Sequence, residues 1–400
     1  MIDYKANLTP DGTREGATAE KTIRVLHVIK TLALGGAETN LLNLARAFDA
    51  GKIETHIAYS YGGEIEGRFR NSGAKLFKYA DRSHRIKSLH TVLIVLRLMR
   101  YIARNRVDIV QTHNFNAHVW GVIAAKLCGA KVVEHVHDFR YTSAEELSRR
   151  HGLLDQYRFI RYFRDRSDRV VVLTRDNAHD VVKQGIAPTH RVREIQNGIP
   201  FDDAPPLKSG RLREEFAIPD DAVVIATSAR MDPTKNIELI LAIAARVVER
   251  APKAVFVVAG NGAFLETYRN HARQEGLEKN VLFVGFREDM YALLSEADIF
   301  LLPSFLELHS IAILEALKMK LPVVVSSGVG CNDQFIEHGI NGFLCDPFQQ
   351  QSWIDALAQL ANDDSLRQAM GARGYEMCRR LFDIEDTATR FQEMYAELVA

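Results

Sequence analysis

The chain has 400 residues, of which 47% are apolar and 26% charged, a composition that fits roughly two or three globular domains and excludes disorder, collagen-like repeats and a disulfide scaffold. Its 51 basic and 51 acidic residues cancel, yet residues 1–200 carry 32 basic against 21 acidic and residues 201–400 carry 19 against 30. A basic half joined to an acidic half points to two domains with different partners. Residues 1–21 are polar and mixed in charge, unlike a secretory signal, and read as a flexible tail. From Ile23 onward, short β-branched runs at 23–29, 55–60, 107–112, 131–137 and 169–174 alternate with helical patterns at 37–48, 88–104 and 117–127. The runs are nearly continuous in apolar residues, as strands buried on both faces are, so the alternation predicts a parallel sheet clad in helices. The apolar stretch 88–104 is interrupted by His90, Arg97 and Arg100, which makes it too short and too charged to span a bilayer. A proline- and glycine-bearing stretch at 197–210 marks a linker. The alternation then restarts with runs at 223–227, 254–259, 281–284, 299–302 and 322–326, and the chain ends in an amphipathic helix, 383–399.

The expected fold class is therefore α/β, with two doubly wound Rossmann-like domains, 22–200 and 201–382, facing a central cleft, and a final segment 383–400. In open α/β sheets the ligand sits outside the carboxyl ends of the strands. Two facing domains of this kind favour a nucleotide or sugar-phosphate enzyme over a scaffold protein. Cys128, Cys331, Cys345 and Cys378 are far apart and form no C-x-x-C pair, which predicts a reducing, cytoplasmic compartment and no zinc or disulfide framework.

Three segments carry candidate chemistry. After the first strand run come Gly35 and Gly36, just before a helix. Paired glycines let the backbone approach a phosphate at a helix N-terminus, or simply make a tight turn that binds nothing. After the run at 223–227 come Arg230 and Lys235, which can neutralise a diphosphate or stand as solvated loop charges. The third segment runs from Pro303 to Leu317 and holds Glu307 and, eight residues on, Glu315, followed along a helix that starts near His309. Both carboxylates can face the cleft from one side and accept hydrogen bonds from diols; Glu315, set among apolar residues, otherwise needs a structural partner.

With these residues the chain resembles the family-4, or group 1, retaining glycosyltransferases, whose fold is the two-Rossmann GT-B architecture. The resemblance runs from about Arg24 to the C-terminus. It rests on Gly35-Gly36, His137-Asp138, Asn197-Gly198-Ile199, Arg230 with Lys235, Gly260-Asn261-Gly262, Gly285, the E-x7-E pair Glu307 and Glu315, and Asn341-Gly342-Phe343-Leu344. It implies transfer of a sugar from a nucleotide-diphosphate sugar to a hydroxyl acceptor, by a metal-independent front-face displacement and with no cofactor. It implies an acceptor domain first and a donor domain second, with the last helix crossing back onto the first. The implied catalytic residues are Glu307, His137, Arg230 and Lys235. The implied donor site comprises Gly35, Gly36, Arg230, Lys235, Gly260, Gly262, Glu307, Ser310, Ile311 and Glu315. Two departures stand out: Leu308 and Ser310 replace glycines of the usual E-G-x-G, and after the run at 322–326 either Asp333 or Gln334 takes the place of a usual glutamate.

Other readings compete for some of these residues. Gly260-Asn261-Gly262 lacks the third glycine and the acidic residue of a dinucleotide fingerprint. His135 and His137 share one face of a strand, with no third metal ligand evident. Between Phe139 and Arg169 lie eight arginines interleaved with aromatics, which suit either an anionic membrane face or a solvated surface. A lipid-linked or carbohydrate acceptor, peripheral contact with the inner face of a membrane through the basic half, and cell-surface polysaccharide or glycolipid assembly are what the resemblance adds. No nucleic-acid motif is present. The alternative to an active transferase is a non-catalytic nucleotide-sugar-binding partner of one.

Overall fold

The computed structural model describes residues 22–80, 87–113, 115–137, 166–202 and 208–400. The expected tail at 1–21, Asp138 and most of the arginine- and aromatic-bearing segment lie outside the described residues. The first unit runs β1 (Ile23–Thr31), α1 (Gly36–Ala47), β2 (Ile53–Tyr61), α2 (Glu66–Arg70), β3 (Lys75–Lys78), α3 (Lys87–Asn105), β4 (Ile109–His113), α4 (Phe115–Cys128), β5 (Lys131–His135), β6 (Arg169–Val172), α5 (Arg175–Lys183) and β7 (Val192–Glu194). Its described strands form one sheet in the order β3-β2-β1-β4-β5-β6-β7. Every pairing is parallel. Central β1 has Val25, Leu26, Val28 and Ile29 fully buried on alternating faces, which explains its near-continuous apolar sequence.

The second unit begins with α6 (Arg211–Phe216), β8 (Val223–Ser228), α7 (Ile237–Arg250), β9 (Ala254–Ala259), α8 (Leu265–Gln274), β10 (Val281–Gly285) and α9 (Met290–Glu296). It continues through β11 (Ile299–Leu302), α10 (Ile311–Lys318), β12 (Val323–Ser326), α11 (Asn332–Phe335), β13 (Gly342–Cys345), α12 (Gln350–Asn362), α13 (Asp364–Phe382) and α14 (Ile384–Val399). The strand order is β10-β9-β8-β11-β12-β13, again all parallel. Alternate residues of β8 divide between two cores: Val223 and Ile225 pack with α7 and with Trp353 of α12, while Val224 and Ala226 pack with α10 and α13.

The final helix belongs to the first core. Ile384, Ala388, Phe391, Met394, Tyr395 and Leu398 form one stripe of α14, and they pack on Val25, Ile109, Val133 and Val171 of the first sheet and on Leu44 and Phe48. Burial of each large side chain of that stripe contributes roughly 1.5–3 kcal/mol, and such packing rather than intrinsic propensity is what holds a helix of this length in place. The two halves are therefore tied twice, through the junction and through α14.

The junction is tighter than a linker reading of 197–210 implies. Ile199 is fully buried, its amide donates to Phe382 O at 2.9 Å, and Ile384 N donates back to Ile199 O at 3.0 Å. Gly198 sits beneath the start of α14, where an added Cβ would stand 2.6 Å from Thr387 Oγ1 and 2.9 Å from Ile384 Cα. The second of these is backbone and cannot rotate away. Gly198→Ala is expected to destabilise the protein by about 1–3 kcal/mol through overpacking. Urea denaturation measures this, and a midpoint unchanged from wild type would show that α14 is not held as described.

Three strands go beyond the sequence expectation. β3 and β7 are short, charged edge strands, and β13 follows a turn motif rather than a β-branched run. Among the described residues no helix is long and apolar enough to cross a membrane.

Candidate active site

The strand order of each sheet reverses at one place, and there the loops part to leave a crevice. In the second sheet that place is between β8 and β11. The loop after β8 carries Arg230 and Lys235; the loop after β11 carries Glu307. The two loops are bonded together, with Phe305 N donating to Thr234 O at 2.8 Å. Lys235 ends a short 3-10 turn that Asp232 caps by accepting from Thr234 N. Its Nζ donates to Glu307 Oε1 at 2.6 Å, and Ser304 Oγ donates to the same oxygen at 2.9 Å. The pair is largely sheltered, with Lys235 17% and Glu307 11% exposed. Arg230 differs: it is 71% exposed and its Nε bonds the Asp232 carboxylate.

Gly260 and Gly262 stand behind this loop. Gly260 has φ +135°, and a Cβ there would lie 1.8 Å from Ala229 O; a Cβ at Gly262 would lie 2.5 Å from Met231 O. Met231 N also donates to Asn261 O at 2.9 Å. These glycines let the Arg230 loop lie flat on the 260–262 turn.

The loop 307–310 leads into α10, whose N-cap position is Ser310, with no side-chain cap bond. The first amides of α10, from Ile311 on, thus point out of the helix without intrahelical acceptors. The N-terminus of α1 meets them from the other unit. Gly35 caps α1 in an extended conformation, and a Cβ on Gly36 would lie 3.9 Å from Ile311 Cγ1. Two helix N-termini, one from each unit, converge beside Lys235 and Glu307. Each carries a partial positive charge, so the place where they meet favours an anion.

Two carboxylates border it. Burial pushes Glu38, in the first turn of α1, up to about 7. Burial likewise pushes Glu315 up to about 7, against the partly offsetting fields of Arg68 and Lys318. The sequence argument expected a structural partner for Glu315 if it bound no ligand. Its side chain makes no hydrogen bond or ion pair among the described residues, and it is partly exposed, so solvent as well as a ligand can serve it. Glu38 was not singled out by sequence, although a glutamate two residues inside a helix that opens at paired glycines was a usable signal.

The two units are latched at the base of this crevice. Asn197 N donates to His309 Nδ1 at 3.1 Å, and Asn197 Nδ2 donates to His309 O at 2.8 Å. Burial drives His309 down to about 3, so it stays neutral and can accept. Leu308, in place of a glycine, is buried, and its carbonyl accepts from Cys331 N at 3.1 Å. Asp333 folds back onto its own loop, accepting from Gly328 N at 2.6 Å, whereas Gln334 lines a cavity of about 520 Å³ with Arg175, Glu194 and Arg390.

In the first sheet the switch lies between β1 and β4, and here the sequence reading needs correction. His135 and His137 do share a face, but a third histidine joins them. His113, at the end of β4, lies opposite His135 in the parallel register. One ring nitrogen each of His113, His135 and His137 lies within 4.8 Å of the others. His113 bonds His137 on one side at 2.9 Å and His27 on the other at 3.1 Å. Burial and the neighbouring histidines hold His113 and His135 well below the ordinary imidazole range. A one-dimensional period finds residues on one strand; His113 comes from the next strand, which only the β4–β5 register brings alongside.

Comparison with known proteins fits this geometry. Residues 34–203 match the family model described as Glycosyltransferase Family 4, and residues 209–377 the model described as Glycosyl transferases group 1. Over 321 residues the chain is 26% identical to a UDP-Gal:alpha-D-GlcNAc-diphosphoundecaprenol alpha-1,3-galactosyltransferase of Escherichia coli, covering 78% of this chain and 81% of that one. It is 30% identical over 244 residues to a D-inositol 3-phosphate glycosyltransferase of Corynebacterium efficiens, covering 58% and 57%. Among solved structures, Anabaena HepE in complex with UDP-glucose superposes with a TM-score of 0.79 at 19% identity, over 94% of this chain and all of that one. The two matched models meet at the junction between the two sheets, and the chain belongs to the group 1, family 4 glycosyltransferases, with their GT-B fold.

Proposed function

We propose that the protein transfers a sugar, with retention of configuration, from a uridine-diphosphate sugar to a hydroxyl of a carbohydrate or lipid-linked acceptor in polysaccharide or glycolipid assembly. The observation that carries this is the meeting of two helix N-termini, at Gly36 and Ile311, beside Lys235 and Glu307. A diphosphate lodged there is held by the amides that open α10 and by Lys235, with exposed Arg230 swinging from Asp232 to the outer phosphate. Preorganised positive charge of this kind is the largest single catalytic contribution open to such a site. Gly35 leaves the α1 turn open for the donor, Gly260 and Gly262 seat the Arg230 loop, and Glu315 accepts from the ribose hydroxyls. Glu307 accepts from hydroxyls of the donor sugar, and half-buried His137 faces the acceptor side.

In the reaction the bond from the anomeric carbon to the diphosphate breaks, and the acceptor oxygen bonds the same face of that carbon. The acceptor proton passes to the leaving phosphate oxygen. The uridine donor and the lipid-linked acceptor draw support from the activity named for the Escherichia coli relative and from the UDP-glucose complex of HepE. The resemblance to metal-independent transferases supports a donor site in which Lys235, Arg230 and helix amides neutralise the diphosphate.

The test is thermal stabilisation by UDP, GDP, ADP and CMP without added metal. A ligand at a hundredfold excess over its Kd adds about 2.7 kcal/mol to a folded state that alone binds it. For domains of this size that is a rise of several degrees. UDP is expected to give it and the others less; no shift with any nucleotide sinks the proposal.

A further inference from the structure

We infer that His113, His135 and His137 form a binding site for a divalent transition metal of the zinc class, on the acceptor-side face of the first sheet. The three come from two adjacent strands, and one nitrogen of each lies within 4.8 Å of the others. Zinc–imidazole bonds of about 2.0–2.1 Å place tetrahedral nitrogens about 3.3 Å apart, so closing the trio on an ion takes side-chain movements of about an ångström.

The nitrogens behind the trio are already held. His135 Nδ1 lies 3.2 Å from Gln111 Nε2, and Gln111 Oε1 accepts from Tyr395 OH at 2.5 Å. Turning the Gln111 amide over lets its oxygen accept from His135 Nδ1–H, which leaves the Nε2 lone pair free. His113 Nε2 lies 3.1 Å from His27 Nδ1, a bond that leaves the His113 Nδ1 lone pair facing His137. Metal-bound histidines are held in this manner, with the far nitrogen fixed by an amide, carbonyl or second side chain.

An independent observation points to a missing occupant. His135 is 2% exposed, and its Nε2 has no hydrogen-bond partner among the described residues. A buried polar nitrogen left unpaired costs free energy that a ligand would recover. The donor set is three imidazoles with no carboxylate, which suits zinc, cobalt, nickel or copper and not magnesium or calcium. His27, His113 and His135 are buried while His137 is half-exposed, so the fourth position opens on the His137 side. None of the three histidines is among the groups proposed to hold the diphosphate. On the proposed acceptor role of His137, an ion here would hold its Nε2 and slow transfer.

The experiment is cobalt titration of untagged, chelator-stripped full-length protein, read by visible absorption. One equivalent is expected to give the intense d–d bands of a four-coordinate ion, which excess zinc abolishes. His135→Gln, a residue outside the proposed transfer machinery, is expected to lose those bands and retain the stabilisation by UDP. Absence of binding, or cobalt bands unchanged in His135→Gln, overturns the inference. X-ray absorption of the wild-type zinc complex gives the imidazole count directly, should the variant fail to fold; three are expected, and fewer than three overturns the site. Because the readouts are metal binding and nucleotide binding, failure of this site and failure of the transferase reading give different results.

Discussion

Lys235→Ala and Glu307→Ala are each expected to lower kcat for sugar transfer by on the order of 10²–10³, the usual cost of removing one preorganised charge-stabilising group. The two losses should differ in kind. On the proposed reading Lys235 holds the diphosphate, so its removal should also weaken UDP; Glu307 is proposed to face the sugar, so its removal should leave UDP affinity near wild type. Without substrate the two side chains neutralise each other at 2.6 Å, and Ser304 supplies Glu307 with a second bond. The resting pair keeps both groups in place with their charges compensated, and an arriving diphosphate takes over the partner role for Lys235. Because each residue positions the other, the double variant should lose much less than the product of the two single losses. Steady-state kinetics with a UDP-sugar, alongside UDP affinity by calorimetry, measures all three. Wild-type turnover in both single variants would remove Lys235 and Glu307 from the mechanism.

This site was legible in sequence where it depends on local chemistry. Gly35-Gly36, Lys235 and Glu307 each lie just past a strand end, and in a doubly wound sheet that position alone brings them to the crevice. The long β-branched runs were equally plain, because strands buried on both faces need apolar residues throughout. What escaped depends on relations between segments. β3 reads Lys75-Leu76-Phe77-Lys78 and β7 reads Val192-Arg193-Glu194; at the edge of a sheet only one side is paired, so charges are tolerated and the apolar signal fades. His113 joins His135 through a register between strands that no single-strand periodicity contains. The latch between Asn197 and His309 spans 112 residues, and its partners carry no mutual pattern. Gly260 and Gly262 were read as donor-binding from their place in a motif, and the structure adds a reason of another kind, the close approach of the Arg230 loop.

On the proposed role of Glu315 at the ribose, donor affinity is expected to rise about tenfold between about pH 6 and pH 8 and to level off above, because the ionised carboxylate is the stronger acceptor for a diol. Burial raises its carboxyl to about 7, so about a tenth of the molecules are ionised one unit below that value and nine-tenths one unit above. A UDP-sugar is the right probe, since its diphosphate has no proton to lose in this range. Glu315→Gln still offers an acceptor oxygen but no charge. It should bind about 10- to 100-fold more weakly at pH 8, the difference between charged and neutral hydrogen bonds, and show no slope with pH. The apoprotein supplies a second readout with the opposite sign. A carboxyl whose folded value is raised stabilises the fold below its unfolded value of 4.5, and that contribution is lost as pH rises through about 7. Glu315→Gln escapes this loss, so its apo melting temperature should match wild type near pH 4 and exceed it near pH 8. A flat wild-type affinity profile, or a variant that keeps the slope, would detach Glu315 from the nucleotide. A raised melting temperature alone would then mark it as a buried acid that burdens the fold for some other ligand.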